Sequence, residues 1–202
     1  EVIGHQWWWE FRYPEYGFTT ANEMHVPVGR PVYLTLTSAD VIHSFWVPRL
    51  AGKRDAVPGR TTNILFETDE VGTFIGQCAE FCGLAHADMR QRVFSHPEEE
   101  FEAWALAQSS PATLPTEGAA LAGWEVFQTQ CTSCHAIDGT SATAQLAPNL
   151  THFASRTAFA GATLDMTEEH LREWLRNPSS LKPMTPERND LAAGRVLGMP
   201  DL

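Results

Sequence analysis
The spacing of hydrophobic and polar positions changes period about half-way along the chain. Pro31–Thr37 alternates with period two, and Thr61–Glu67 and Arg90–Phe94 have the same strand-like character. Gly29, Gly59 and Gly72, each near prolines or acidic residues, mark the turns between them. An all-β first domain is therefore predicted. Ser95 then stands as an N-cap, with Glu98 at capping-box spacing, for a short helix through Glu98, Phe101 and Trp104. The following Gln108–Gly118, rich in Ser, Pro and Thr, has the composition of a partly extended tether. Beyond it the period becomes helical. Leu121, Trp124 and Phe127 recur at intervals of three, and a second helix opens at Met166 or Thr167, carries Leu171, Trp174 and Leu175 on one face, and stops at Pro178. The division predicted is residues 1–106, a linker over 107–118, and 119–202.

Composition agrees with two small globular domains. The chain has 202 residues, 43% hydrophobic and 19% charged, and no apolar run approaches the roughly 20 residues needed to cross a bilayer. The net charge is −11, from eight basic and fifteen acidic residues in 1–105 and six and ten in the remainder. Both parts are acidic, which disfavours nucleic acid as a partner. An acidic face suits steering of a basic redox protein, and acidity also simply keeps domains soluble.

Chemistry is concentrated in two cysteine segments. Cys78-Ala-Glu-Phe-Cys82-Gly-Leu-Ala-His86-Ala-Asp-Met89 places two thiolates, an imidazole and a thioether within twelve residues. A bare CxxxC would equally suit a disulfide, a zinc site or two buried thiols. The extension to His86 and Met89 reduces those readings, because zinc has little use for a thioether whereas soft sulfur with imidazole selects copper. A further histidine, His43, lies upstream in Val41–Pro48. The second segment, Cys131-Thr-Ser-Cys134-His135, is the attachment pattern of c-type haem: two thioether bonds and a proximal histidine. A redox CxxC is the competing reading. Gly123 and Phe127 before it, Pro148-Asn149-Leu150 after it and the amphipathic Leu171–Leu175 stretch favour haem.

The His43 segment, Asp55–Arg60, the Cys78–Met89 loop and the opening Gly4-His5-Gln6-Trp7-Trp8-Trp9 together resemble subunit II of haem–copper cytochrome c oxidase, over about the first hundred residues. The later segments resemble class I cytochrome c. What the resemblance implies is a cupredoxin-like Greek-key barrel followed by a small all-α cytochrome c, as in a caa-type oxidase. Cys78 and Cys82 would bridge the two ions of a dinuclear CuA centre, with His43 and Met89 completing one copper and His86 and the Glu80 carbonyl the other. The Glu80 side chain would offer a ligand to a magnesium ion shared with the catalytic subunit. Trp7 stands in the position of the family's electron-entry tryptophan, while partial burial against the barrel and the membrane anchor is expected to explain at least one of the three tryptophans. Cys131, Cys134 and His135 would hold the haem, with Met199, in Gly-Met-Pro, favoured as sixth ligand over Met184 and Met166. The family ordinarily ends in a closing helix. Either that helix is missing from the chain, or Met184 is the ligand and Asn189–Leu197 closes the domain.

The resemblance further implies a location outside the cytoplasmic membrane, an anchor preceding the residues given, catalytic subunit I as acceptor, and a cytochrome c or quinol–cytochrome c reductase as donor. Nitrous oxide reductase is disfavoured by Glu80, where that family's copper loop carries tryptophan. A copper-containing nitric oxide reductase and a free-standing electron carrier are the alternatives.

Overall fold
Alternation in the first hundred residues produces ten strands. They are β1 (Val2–His5), β2 (Trp8–Tyr13), β3 (Phe18–Ala21), β4 (Glu23–Pro27), β5 (Val32–Ser38), β6 (His43–Trp46), β7 (Arg54–Ala56), β8 (Thr62–Phe66), β9 (Gly72–Cys78) and β10 (Arg90–His96). The computed structural model describes residues 1–184 and 198–201. The strands form two five-stranded sheets, ordered β3-β2-β1-β5-β8 and β4-β10-β9-β6-β7. Most neighbours are antiparallel, but β1 runs parallel to β5 and β10 parallel to β4, so the chain crosses between sheets as a Greek-key barrel requires. Inward positions such as Leu34 and Leu36 on β5, Phe74 on β9 and Val93 on β10 alternate with half-buried or exposed ones and meet Trp9, Phe11 and Phe45 in one core.

Helix α1 (Glu98–Gln108) follows β10 and lays Phe101 and Ala105 against Phe18, with Tyr13 and Trp104 at the edge. Its N-cap is Pro97, not Ser95. The Ser95 hydroxyl is already taken inside the sheet, where it donates to the Glu70 carbonyl at 2.5 Å and accepts from the Gly72 amide at 2.9 Å.

Residues 109–117 carry neither helix nor strand. The second domain follows with α2 (Gly118–Gln130), a hairpin of β11 (Ala158–Phe159) and β12 (Leu164–Asp165), α3 (Glu168–Arg176) and α4 (Pro178–Leu181). Thr167 caps α3 by accepting from the His170 amide, as the sequence suggested. The hairpin departs from the all-α expectation. Its turn, Ala160-Gly161-Ala162, is left-handed throughout, with φ of 53°, 76° and 56°. The expected closing segment Asn189–Leu197 lies outside the described residues. Among the described residues no helix is long and apolar enough to cross a membrane.

Candidate functional site
The strand-to-strand connection between β9 and β10 gathers the first cysteine segment into a closed loop. Cys78 is the last residue of β9, and its amide donates to the Met89 carbonyl at 2.8 Å, pinning the loop's two ends together. The Sγ atoms of Cys78 and Cys82 are 3.9 Å apart and unbonded. Around them lie His43 Nδ1, 3.9 Å from Cys78 Sγ, and His86 Nδ1, 3.5 Å from Cys82 Sγ. Met89 Sδ is 3.8 Å from Cys82 Sγ, and the Glu80 carbonyl oxygen is 3.2 Å from Cys78 Sγ. The six residues expected from the sequence thus lie around the two cysteine sulfurs, and the ligand atoms of His43, Cys78 and Cys82 all fall within 4.8 Å of one another.

Hydrogen bonding orients His43 toward the sulfurs, and the neighbouring groups set one another's protonation. His43 Nε2 donates to Asp40 Oδ1 at 2.7 Å, which fixes the tautomer and leaves Nδ1 as a ligand atom facing sulfur. Burial alone would raise the Asp40 carboxyl, but hydrogen bonds from His43 and the amides of Val41 and Gln6 hold it below its ordinary value. Burial likewise opposes charge on His43, and Asp40 together with Cys78 outweighs it, so His43 is raised. The Cys82 thiol and His43 draw Cys78 toward thiolate, and the same Cys78 contact pushes Cys82 up. The His43 ring also needs an unobstructed neighbour. A Cβ on Gly4 would come within 2.6 Å of it, so glycine is required there.

A second site lies between the two domains. An apolar cleft is lined by Cys131, Cys134, His135, Leu171, Trp174 and Met199 on one side and by Gln6, Trp7 and Trp8 on the other. His135 Nδ1 lies 2.7 Å from the Pro148 carbonyl, an acceptor only, so it must carry the proton and Nε2 is left bare for a metal. Burial holds His135 below its ordinary value and hence neutral, as a ligand must be. The two half-buried thiols, the neutral imidazole and the flat apolar walls fit a covalently held haem. Both Met199 and Met184 line the cleft, and Met199 Sδ accepts from the Trp174 indole N–H at 3.0 Å.

Residues 17–95 match the family model "Cytochrome C oxidase subunit II, periplasmic domain", and residues 120–193 match "Cytochrome c". The chain is 43% identical over 183 residues to cytochrome c oxidase subunit 2 of Alkalihalophilus pseudofirmus and 39% identical over 192 residues to that of Bacillus sp. PS3. Each comparison covers 90% of this chain, but 53% and 54% of the relative, so the chain spans about half the length of these relatives. The crystal structure of the periplasmic domain of subunit II of cytochrome oxidase from Bradyrhizobium japonicum is 34% identical. It superposes with a TM-score of 0.52, over 53% of this chain and 89% of that one. The chain belongs to the cytochrome c oxidase subunit II family.

The family model matched by residues 17–95 is that of the periplasmic domain of the subunit, and the match over residues 120–193 adds a cytochrome c domain to it. The structure places the three family tryptophans differently. Trp9 is fully buried, edge-on to Phe45 and His43, deeper in the core than the partial burial expected of one of them. Trp8 stacks on His5 at 4.1 Å. Trp7 is not on an open surface: it is 4% exposed, walls the cleft of the second domain, and donates its indole N–H to the Cys82 carbonyl at 2.9 Å. The Glu80 side chain is exposed, and beyond His43, Cys78 and Cys82 no other cluster of three such ligands occurs among the described residues.

Sequence reasoning missed Asp40, although a carboxylate three residues before a ligand histidine is a readable signal. It also missed Glu23 and Lys182, whose partners lie in the other domain and leave no local signature. The Glu23 carboxylate accepts from the amides of Thr157 and Ala158, both at 2.8–3.1 Å, and from the Thr157 hydroxyl at 2.6 Å. Arg92 adds an ion pair to Asp165 at 2.6 Å.

Proposed function
We propose that the chain is the electron-entry part of a caa-type oxidase, with a copper domain in residues 1–106, a linker over 107–118 and a haem domain in 119–202. Cys78 and Cys82, with His43 and Met89 on one side and His86 and the Glu80 carbonyl on the other, would hold two copper ions. Cys131, Cys134 and His135 would hold the haem, with Met199 as its further ligand. When bound, these groups would supply one-electron storage, placed between an external donor on the haem side and catalytic subunit I, where oxygen would be reduced and protons translocated. The Glu80 carboxylate, on the exposed side of the loop, is free to share magnesium with that subunit.

The observation that carries this reading is the position of Trp7. Its indole spans from the haem cleft to the Cys82 carbonyl, so one buried side chain links the two candidate centres. In the present chain Trp7 is therefore covered by the cytochrome domain, and an external cytochrome c or reductase delivers electrons to the haem instead of to Trp7. Phe81, Leu84 and Ile42, 77%, 52% and 45% exposed and each within two residues of a proposed copper ligand, offer apolar surface to subunit I. A membrane anchor in the full protein would hold that face in place outside the cytoplasmic membrane. Electron paramagnetic resonance of the copper-loaded chain tests the core of the proposal. Hyperfine structure from two equivalent copper nuclei is expected, and a signal confined to one nucleus would overturn the dinuclear assignment.

A further inference from the structure
Lys182 follows α4 and reaches into the junction of the two domains, where it is 2% exposed. Its Nζ donates to the carbonyl oxygens of Trp7 at 2.6 Å, Asp88 at 2.9 Å and Ala160 at 3.1 Å. Burial pushes the Lys182 ammonium down to about 7, and in its charged form each of its three N–H donors has a carbonyl. The three acceptors come from three segments that matter to the proposed path. Trp7 is the residue between the clefts, Asp88 immediately precedes Met89 in the copper loop, and Ala160 begins the left-handed tip of the β11–β12 hairpin.

That tip is keyed into the same place. The Gly161 carbonyl accepts from the Arg90 amide at 2.9 Å, on the far side of Met89 from Asp88. A Cβ at Gly161 would overlap the Asp88 carbonyl oxygen and the Lys182 ammonium, so only glycine lets the tip seat this closely. Ala160 and Ala162 adopt positive φ on either side of it, a conformation that alanine avoids and that surrounding contacts must hold.

We propose that Lys182 is a positioning residue for electron transfer between the haem and the copper centre: by gathering the carbonyls of Trp7, Asp88 and Ala160 it fixes the Trp7 bridge and the copper loop against the haem domain. The inference rests on the haem-to-copper path proposed above. Replacing the ammonium by an apolar group leaves three buried carbonyls without their donor, and they recover hydrogen bonds only if the junction opens to water. Lengthening the gap across which an electron passes slows the internal step, while a donor approaching the haem from solution meets an unchanged surface.

The test uses the chain loaded with both haem and copper, as wild type, Lys182→Met and Gly161→Ala. The haem is reduced rapidly by a small external reductant, and its reoxidation by the copper is followed, one electron leaving iron and one arriving at the copper pair. In Lys182→Met the haem spectrum, the copper resonance and the bimolecular rate of haem reduction are expected to match wild type. Its internal rate is expected to fall by about tenfold or more, since displacements of an ångström at a reacting junction cost factors of this size. Amide hydrogen exchange at Arg90, read without any turnover, is expected to accelerate. Gly161→Ala, which forces a methyl group into the junction from the opposite side, should show the same split. A purely structural role would leave the internal rate unchanged once both centres are intact. Wild-type internal rates in both variants overturn the inference, whereas a wild-type chain with no haem-to-copper transfer overturns the path itself.

Discussion
The docking of the two domains depends on Glu23, and replacing it is the sharpest structural perturbation available. The side chain is 3% exposed on β4, and its carboxylate accepts two peptide N–H groups and one hydroxyl from Thr157 and Ala158. Hydrogen bonds to an ionised partner contribute about 1.5–3 kcal/mol each. Glu23→Ala strips the carboxylate from both amides, and even at the lower bound for each the loss is about 3 kcal/mol. With a factor of ten for every 1.4 kcal/mol, local opening of residues 157–158 becomes roughly 100-fold more frequent. Native-state hydrogen exchange at the Thr157 and Ala158 amides measures this directly. Glu23→Gln, which keeps one acceptor oxygen, should fall between. Wild-type exchange at both amides in Glu23→Ala would refute the reasoning, because it would mean that the carboxylate contributes nothing to the junction.

Other consequences can be checked separately. His25 is pushed down to about 3 by burial and by neighbouring His96, so between that value and about 6.5 the unfolded chain binds a proton the folded chain does not. The copper domain should lose up to about 1.4 kcal/mol for each pH unit below 6.5, and chemical denaturation of His25→Phe between pH 4 and 7 should show a slope reduced by about one proton. Trp7→Phe removes one donor from the Cys82 carbonyl, which keeps the Gln6 side-chain amide at 2.8 Å. Stability should therefore fall by only about 1 kcal/mol, and the copper resonance should persist while internal transfer slows. Met199→Ala should abolish the weak iron–sulfur absorption band and Met184→Ala should spare it; the opposite result would assign Met184.

The candidate ligands are legible in sequence because their chemistry is local: two cysteines, a histidine and a methionine in twelve residues, or five residues of CxxCH. Strands β5, β8 and β10 are legible because one face of each is more deeply buried than the other, which keeps the period of two. The opening strands were harder, since Trp7, Trp8 and Trp9 are consecutive aromatics whose different burial shows only once the second domain covers Trp7. Ser95 misled for a related reason. Its capping-box spacing to Glu98 is genuine, but the sheet competes for the hydroxyl and wins through Glu70 and Gly72. The hairpin β11–β12 and the buried Lys182 left no periodic trace. Their partners, such as Trp7 for Lys182, lie far away in sequence, and a lysine beside a proline reads as an exposed turn until its three carbonyls are seen.

The central claim is that one chain holds two electron-transfer centres joined through Trp7. The most direct test is the kinetics of haem reoxidation after rapid reduction of the fully loaded wild-type chain, measured over a range of protein concentrations. The account predicts a first-order rate that does not change with concentration, with copper reduced as haem is oxidised. A rate that rises in proportion to concentration, or haem that stays reduced beside oxidised copper of higher potential, would contradict it.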